Sequence, residues 1–227
     1  MADDDPAVTP RPRPRDEPTG SSNVSPIDTT APPRPAHRPS RRQAVVDGAM
    51  GLFATMPVDE VTVQDIANAV DMTAAAVYYH FASKEQILTE GMQQFGDQLL
   101  HEIRAHVPEP GQRDGLATLL THVMSWTIKR RPQATVYFVN SIGLNLMVEA
   151  LRRETRVQMV EQLQVAVKSV RGRLGAPEAG VIAVALVSLL ETSLASILNQ
   201  DAVYRGLGAK RSIAEVAAVG ERIAGLD

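Results

Sequence analysis

The sequence predicts an all-α protein of about nine helices: an N-terminal three-helix head followed by a larger helical domain. Three observations carry this. From residue 40 onward apolar side chains recur at helical spacing in almost every segment. Ser and Thr stand where helices need N-caps. No segment shows the alternation of a half-buried strand.

Residues 1–39 carry ten of the fifteen prolines, with many Ser, Thr and Arg and few large apolar groups. Such a segment buries too little surface to offset its ordering entropy, and it is read as a disordered tail. Ser40 caps a helix reaching about Met56, with Val45, Ala49, Leu52, Phe53 and Met56 on one face; Pro57 ends it. Thr62 caps the next helix, with Asp65 placed as the reciprocal partner of a capping box. Val63, Ile66, Ala67 and Val70 form its buried face. Asp71-Met72 makes a turn, and Thr73 caps a third helix. Ser83 and Gln86 form a capping box for a fourth, which carries Leu88, Met92, Phe95, Leu99 and Ile103 on one side and ends before Pro108. The expected domains are therefore the tail 1–39, a head 40–86 and a helical domain 87–227.

The second domain continues in the same way. Residues 113–130 form one helix, and Pro132 opens another reaching about Ile142. Residues 143–174 repeat apolar positions at close to 3.5 residues, from Leu144 to Leu174. Pro177 begins a helix to about Asn199 that is apolar nearly all round, and Ser212 caps a last one. The apolar stretch Ala179–Leu190 is too short for a bilayer, which needs about 20 residues, so it reads as a buried helix. With no cysteine and an acidic, polar start, the chain is expected to be cytoplasmic, free of disulfides and away from membranes.

The segment Thr62–Lys84, helix, turn and aromatic-rich helix, has the layout of a helix-turn-helix, whose second helix enters the DNA major groove. At 100° per residue Ala74, Ala75, Tyr78 and Tyr79 fall in one arc of about 140°, facing outward, while Val77 and Phe81 lie beyond its edge, available to the core. Tyrosine hydroxyls reach phosphates or base edges and their rings contact thymine methyls. The alternative is ordinary packing of both tyrosines against neighbouring helices. Net charge is −3, and residues 47–95 hold one basic side chain, Lys84, against seven acids. The positive charge lies just before, in Arg34, Arg38, Arg41 and Arg42. That arm has two readings: a solvated tail, or contacts to phosphates or an adjacent minor groove.

Residues 41–88 closely resemble the DNA-binding domain of TetR-family transcriptional regulators. The matching residues are Ala49, Leu52 and Phe53; Thr62, Val63, Ile66 and Ala67; Val77-Tyr78-Tyr79-His80-Phe81; and Ser83-Lys84-Glu85 with Leu88. The resemblance implies that Thr73, Ala74, Ala75, Ala76, Tyr78, Tyr79 and His80 line double-stranded DNA, with Lys84 and Thr62 on its backbone; Arg41 and Arg42 are candidates by their charge and place in the arm alone. Many members carry hydrogen-bonding residues or glycine where this chain has Ala74–Ala76, which shifts specificity towards Thr73, the tyrosines and DNA shape. His80 either donates to a phosphate or packs between helices.

The resemblance also implies a homodimer on a palindromic operator and a small effector; the default outcome is a repressor released on binding an inducer, with an activator, or a corepressor that tightens binding, left open. The 177–199 helix is apolar on more sides than one core covers, and Val181, Ala185, Leu189, Thr192 and Ser196 are the candidate seam. Met124, Trp126, Tyr137, Phe138, Asn140, Asn145 and Met147 offer apolar surface with polar handles for a mostly apolar effector. No cofactor or metal is expected: the five histidines show no H-E-x-x-H spacing, and no nucleophile elbow or phosphate loop appears, which argues against an enzyme. The remaining alternative is a helical ligand-binding or scaffold protein with little DNA binding.

Overall fold

The computed structural model describes residues 40–226, which form helices joined by turns and short loops, with no strand among them. The tail 1–39, with Arg34 and Arg38, lies outside the described residues. The elements are α1 (Arg41–Phe53), α2 (Val63–Ala69), α3 (Ala74–His80), α4 (Lys84–Ala105), α5 (Gly115–Lys129), α6 (Arg131–Thr135), which runs into a π-helical turn (Val136–Asn140), α7 (Leu146–Arg171), α8 (Ala176–Leu198), α9 (Ala202–Leu207) and α10 (Ala209–Ala224).

The caps form as their chemistry requires. Ser40, Thr62, Thr73 and Ser83 each accept a backbone N–H of the following turn through the side chain. Thr62 and Asp65 exchange bonds in both directions, the Asp65 carboxylate accepting from the Thr62 N–H at 2.9 Å and from its hydroxyl at 2.6 Å. Gln86 departs from the expected box by accepting from the Ala82 N–H, one residue early, at 2.7 Å. Between α2 and α3 the Met72 and Asp71 N–H groups donate back to Ala67 and Asn68, which closes a Schellman turn. Asp71 occupies its left-handed position at φ 53°, where glycine is the usual residue.

α4 links the head to the rest. Its 22 residues extend about 33 Å. One end packs on α1 and its body on α7, with α5 beside it. At the α1 crossing Gly91 has no side chain, and a Cβ there would sit 2.6 Å from the Met50 sulfur. α8 packs against α7, α5 and α10, and α10 against α5. One continuous core runs from Val45 to Ala224.

Three expectations need correction. α1 stops at Phe53, short of Met56, which is exposed. The last helix starts at Ala209, not after Ser212: Gly208 at φ 76° turns the chain after the unforeseen α9. Ser212 is buried within α10, and its hydroxyl donates to the Gly208 carbonyl at 2.9 Å. α8 is 23 residues long and apolar, enough by length and composition to cross a membrane, but it is partly buried against its neighbours.

Candidate nucleic-acid interface

The candidate reading surface is α3. Its inner side is fixed by Val77 and by Phe81 just after it, both buried. The outer side follows from the same periodicity: Tyr78 is 56% and Tyr79 85% exposed. Thr73 and Ala75 are exposed beside them, and Ala74 and Ala76 are half-buried at the flanks. Thr73 spends its hydroxyl oxygen on the Ala76 N–H at 3.2 Å, leaving the hydroxyl proton to donate outward. His80 is half-buried with its ring edge-on to Tyr79 at 5.1 Å, and Thr62 is exposed at the start of α2.

Two expected phosphate contacts are otherwise occupied. The Lys84 ammonium donates to the Val58, Asp59 and Val61 carbonyls at 2.8, 2.9 and 2.9 Å. All three of its protons are thereby used to hold the loop ahead of α2. Arg42 reaches inward from α1: it pairs with the Glu90 carboxylate, donates to the His80 carbonyl at the end of α3, and lies 4.0 Å over the Phe81 ring. In the free protein Arg42 thus braces the end of the reading helix and Lys84 the loop ahead of α2. Spacing and residue type predict a cation at these positions but not the carbonyls that the fold brings to it. Arg41 stays exposed, the one basic side chain of residues 40–86 that makes no such internal bond among the described residues.

The candidate effector residues divide. Met124, Trp126, Tyr137 and Phe138 are buried, the last three around Phe95 with ring centroids 5.2 to 6.0 Å from it. Burial pushes the Tyr137 phenol above its ordinary range. The Trp126 indole N–H is buried and has no hydrogen-bond partner among the described residues. Asn140 donates to the Phe53 carbonyl at 2.8 Å, which ties the π-helical turn to the end of α1. Asn145 and Met147 lie elsewhere: Asn145 caps α7 by accepting the Val148 N–H, and Met147 is exposed. Neither faces the aromatic cluster's core, because the chain between the π-helical turn and α7 runs out to the surface. A surface cleft of about 290 Å³ opens beside Phe138, lined also by Ile142, Arg152, Glu191, Thr192 and Ser196.

All five candidate seam residues of α8 reach the surface of the single chain. Val181 is 71% exposed, Thr192 is exposed, and Ala185, Leu189 and Ser196 are half-buried. Val184, also exposed, extends the same apolar face.

A short capped helix, a left-handed turn and a second helix with an outward aromatic face define a helix-turn-helix protein. Residues 45–90 match the family model described as bacterial regulatory proteins, tetR family. The HTH-type transcriptional repressor KstR2 of Mycolicibacterium smegmatis is 36% identical over 69 residues, 30% of this chain and 34% of the relative. The chain spans between about a fifth and a half of the length of the curated relatives it matches. Over a longer reach the likeness is one of fold. The fatty acid degradation regulator FadR from Bacillus halodurans superposes with a TM-score of 0.69 at 16% identity, covering 84% of this chain and 97% of that one. FadR from Bacillus subtilis in complex with stearoyl-CoA gives 0.65 at 14%, covering 82% and 98%.

Proposed function

We propose that this chain is a cytoplasmic, ligand-responsive transcriptional repressor that binds a palindromic operator as a homodimer. The observation that carries the reading is the exposure of Tyr78 and Tyr79 on a helix whose opposite side is locked into the core. Large aromatic side chains on a protruding helix have little structural purpose in a free chain, and they suit a groove. Thr73, Ala75 and the two tyrosines would meet base edges, with Ala74, Ala76 and His80 flanking and Thr62 on the backbone. With Arg42 and Lys84 spent internally, phosphate neutralisation falls to Arg41 and to Arg34 and Arg38 of the preceding arm. The head, residues 40–86, is the DNA-binding domain in this reading, and residues 87–227 hold effector and partner.

For the effector, the Trp126 indole N–H supports a site among the aromatic residues. An unpartnered buried donor costs about 1–3 kcal/mol, and a mostly apolar molecule carrying one acceptor would satisfy it. The Bacillus subtilis neighbour with stearoyl-CoA makes an acyl-bearing effector a reasonable first candidate. Insertion there would push on the π-helical turn and, through Asn140, on the end of α1. The head separation that fits DNA would then lose population.

Gel-shift titration against DNA upstream of the protein's own gene tests this. Binding that weakens about 10-fold or more on Tyr78→Ala or Tyr79→Ala supports the repressor. Binding absent at low salt, with the chain folded, favours the scaffold alternative.

A further inference from the structure

The fold assembles one cluster that no sequence spacing announces. Glu102 lies in the last turn of α4, His106 caps that helix, and His122 comes from the middle of α5. Their ligand-capable atoms all lie within 4.8 Å of one another, and the three residues are half-buried. His122 Nε2 is 2.7 Å from the Glu102 carboxylate, and the two imidazoles stack at 3.4 Å with planes 18° apart.

We propose that Glu102, His106 and His122 form a site for a divalent transition cation of the zinc class. Two imidazole nitrogens and one carboxylate oxygen are a donor set such ions take, with the fourth position left to water. The protonation pattern agrees. His106 Nδ1 lies 2.9 Å from the Glu102 carbonyl, so it carries the proton and donates there. That leaves the His106 Nε2 lone pair free, and a backbone carbonyl behind a ligating imidazole is the usual outer support of a metal site. The proton that His122 Nε2 shares with the Glu102 carboxylate occupies the place a cation would take, and in the neutral ring it moves to Nδ1 as the ion enters. Both ligands of α4 lie one helical turn apart on the same side. Ligand atoms around zinc stand about 3.3 Å apart for bonds near 2.0 Å, and because imidazole lone pairs lie in the ring plane, the nearly parallel rings must turn out of their stack for both to meet one ion. No carboxylate–histidine pair is needed to hold α4 on α5, because Leu99, Ile103, Leu119 and Val123 already form buried core at this junction. The ion would fasten the end of α4 opposite the DNA head.

The test is a titration of the full, untagged chain with Zn²⁺, and with Co²⁺ followed by visible absorption. The expected result is one ion per chain, a Co²⁺ spectrum of a nitrogen- and oxygen-ligated site, and a rise in Tm with Zn²⁺ that Mg²⁺ does not reproduce. His122→Ala and the more conservative Glu102→Gln should each weaken binding at least about 10-fold, with helical circular dichroism unchanged, whereas His101→Ala, exposed on the same helix, leaves it intact. The same affinity in wild type, His122→Ala and Glu102→Gln overturns the proposal, as does an absence of one-to-one binding in the wild type. The site stands or falls independently of operator binding.

Discussion

Arg42 and Lys84 show how far a side chain's role depends on what the fold places within its reach. Each is a natural phosphate ligand by charge and position, and in the free chain Arg42 holds the His80 carbonyl at the end of the reading helix while Lys84 holds the carbonyls of the loop ahead of α2. Lys84→Ala should lower head stability by about 1–3 kcal/mol, the scale of lost hydrogen bonds from a charged donor, as read by denaturant unfolding. Arg42→Ala should weaken operator binding while leaving the slope of log affinity against log salt unchanged, because no phosphate contact is removed. A slope reduced by about one would return Arg42 to the DNA. Asp65 adds a pH dependence. The Thr62 hydroxyl and N–H hold its carboxyl below the ordinary range. A depressed native pKa stabilises the fold above the unfolded value, near 3.9, and this contribution disappears as pH falls through the native value. Asp65→Asn should therefore flatten the acid limb of the stability curve, measured by thermal unfolding from pH 6 to pH 3.

Among the elements, the short α2 and α3 were the most legible in the sequence. Their caps and turn follow from hydrogen bonds within five residues, and their buried face from helical periodicity. The α9–α10 corner was not legible, since Ser212 looks like a cap and becomes one only if the chain has not already turned. Gly208 turns it first, and Ser212 is left to bond back into its own helix. The α1–α4 crossing was equally hidden, because Gly91 matters only through Met50 across from it. Gly91→Ala should cost about 1–3 kcal/mol by overpacking and shift the head on α4. Chemical denaturation checks the first and operator affinity the second. A neutral substitution would mean that the Met50 side chain swings clear.

For the whole molecule, the outward apolar face of α8 sets the expected assembly. Val181→Glu should leave the monomer's circular dichroism intact, since the side chain is already mostly exposed, while sedimentation shows dissociation. Operator affinity should fall with it, because two half-sites are then no longer gripped together. A dimer that survives both Val181→Glu and Val184→Glu would place the interface elsewhere.

The sequence by itself determined the helical class, the capped helix-turn-helix and the outward tyrosines. Each of these rests on periodicity and capping, which act over a few residues. Tertiary structure alone decided that Lys84 and Arg42 serve the backbone, that Asn140 braces α1, that Asn145 and Met147 leave the aromatic cluster, and that two histidines meet a glutamate. Those outcomes depend on groups 15 to 90 positions apart arriving at one place, and no local spacing encodes such a meeting.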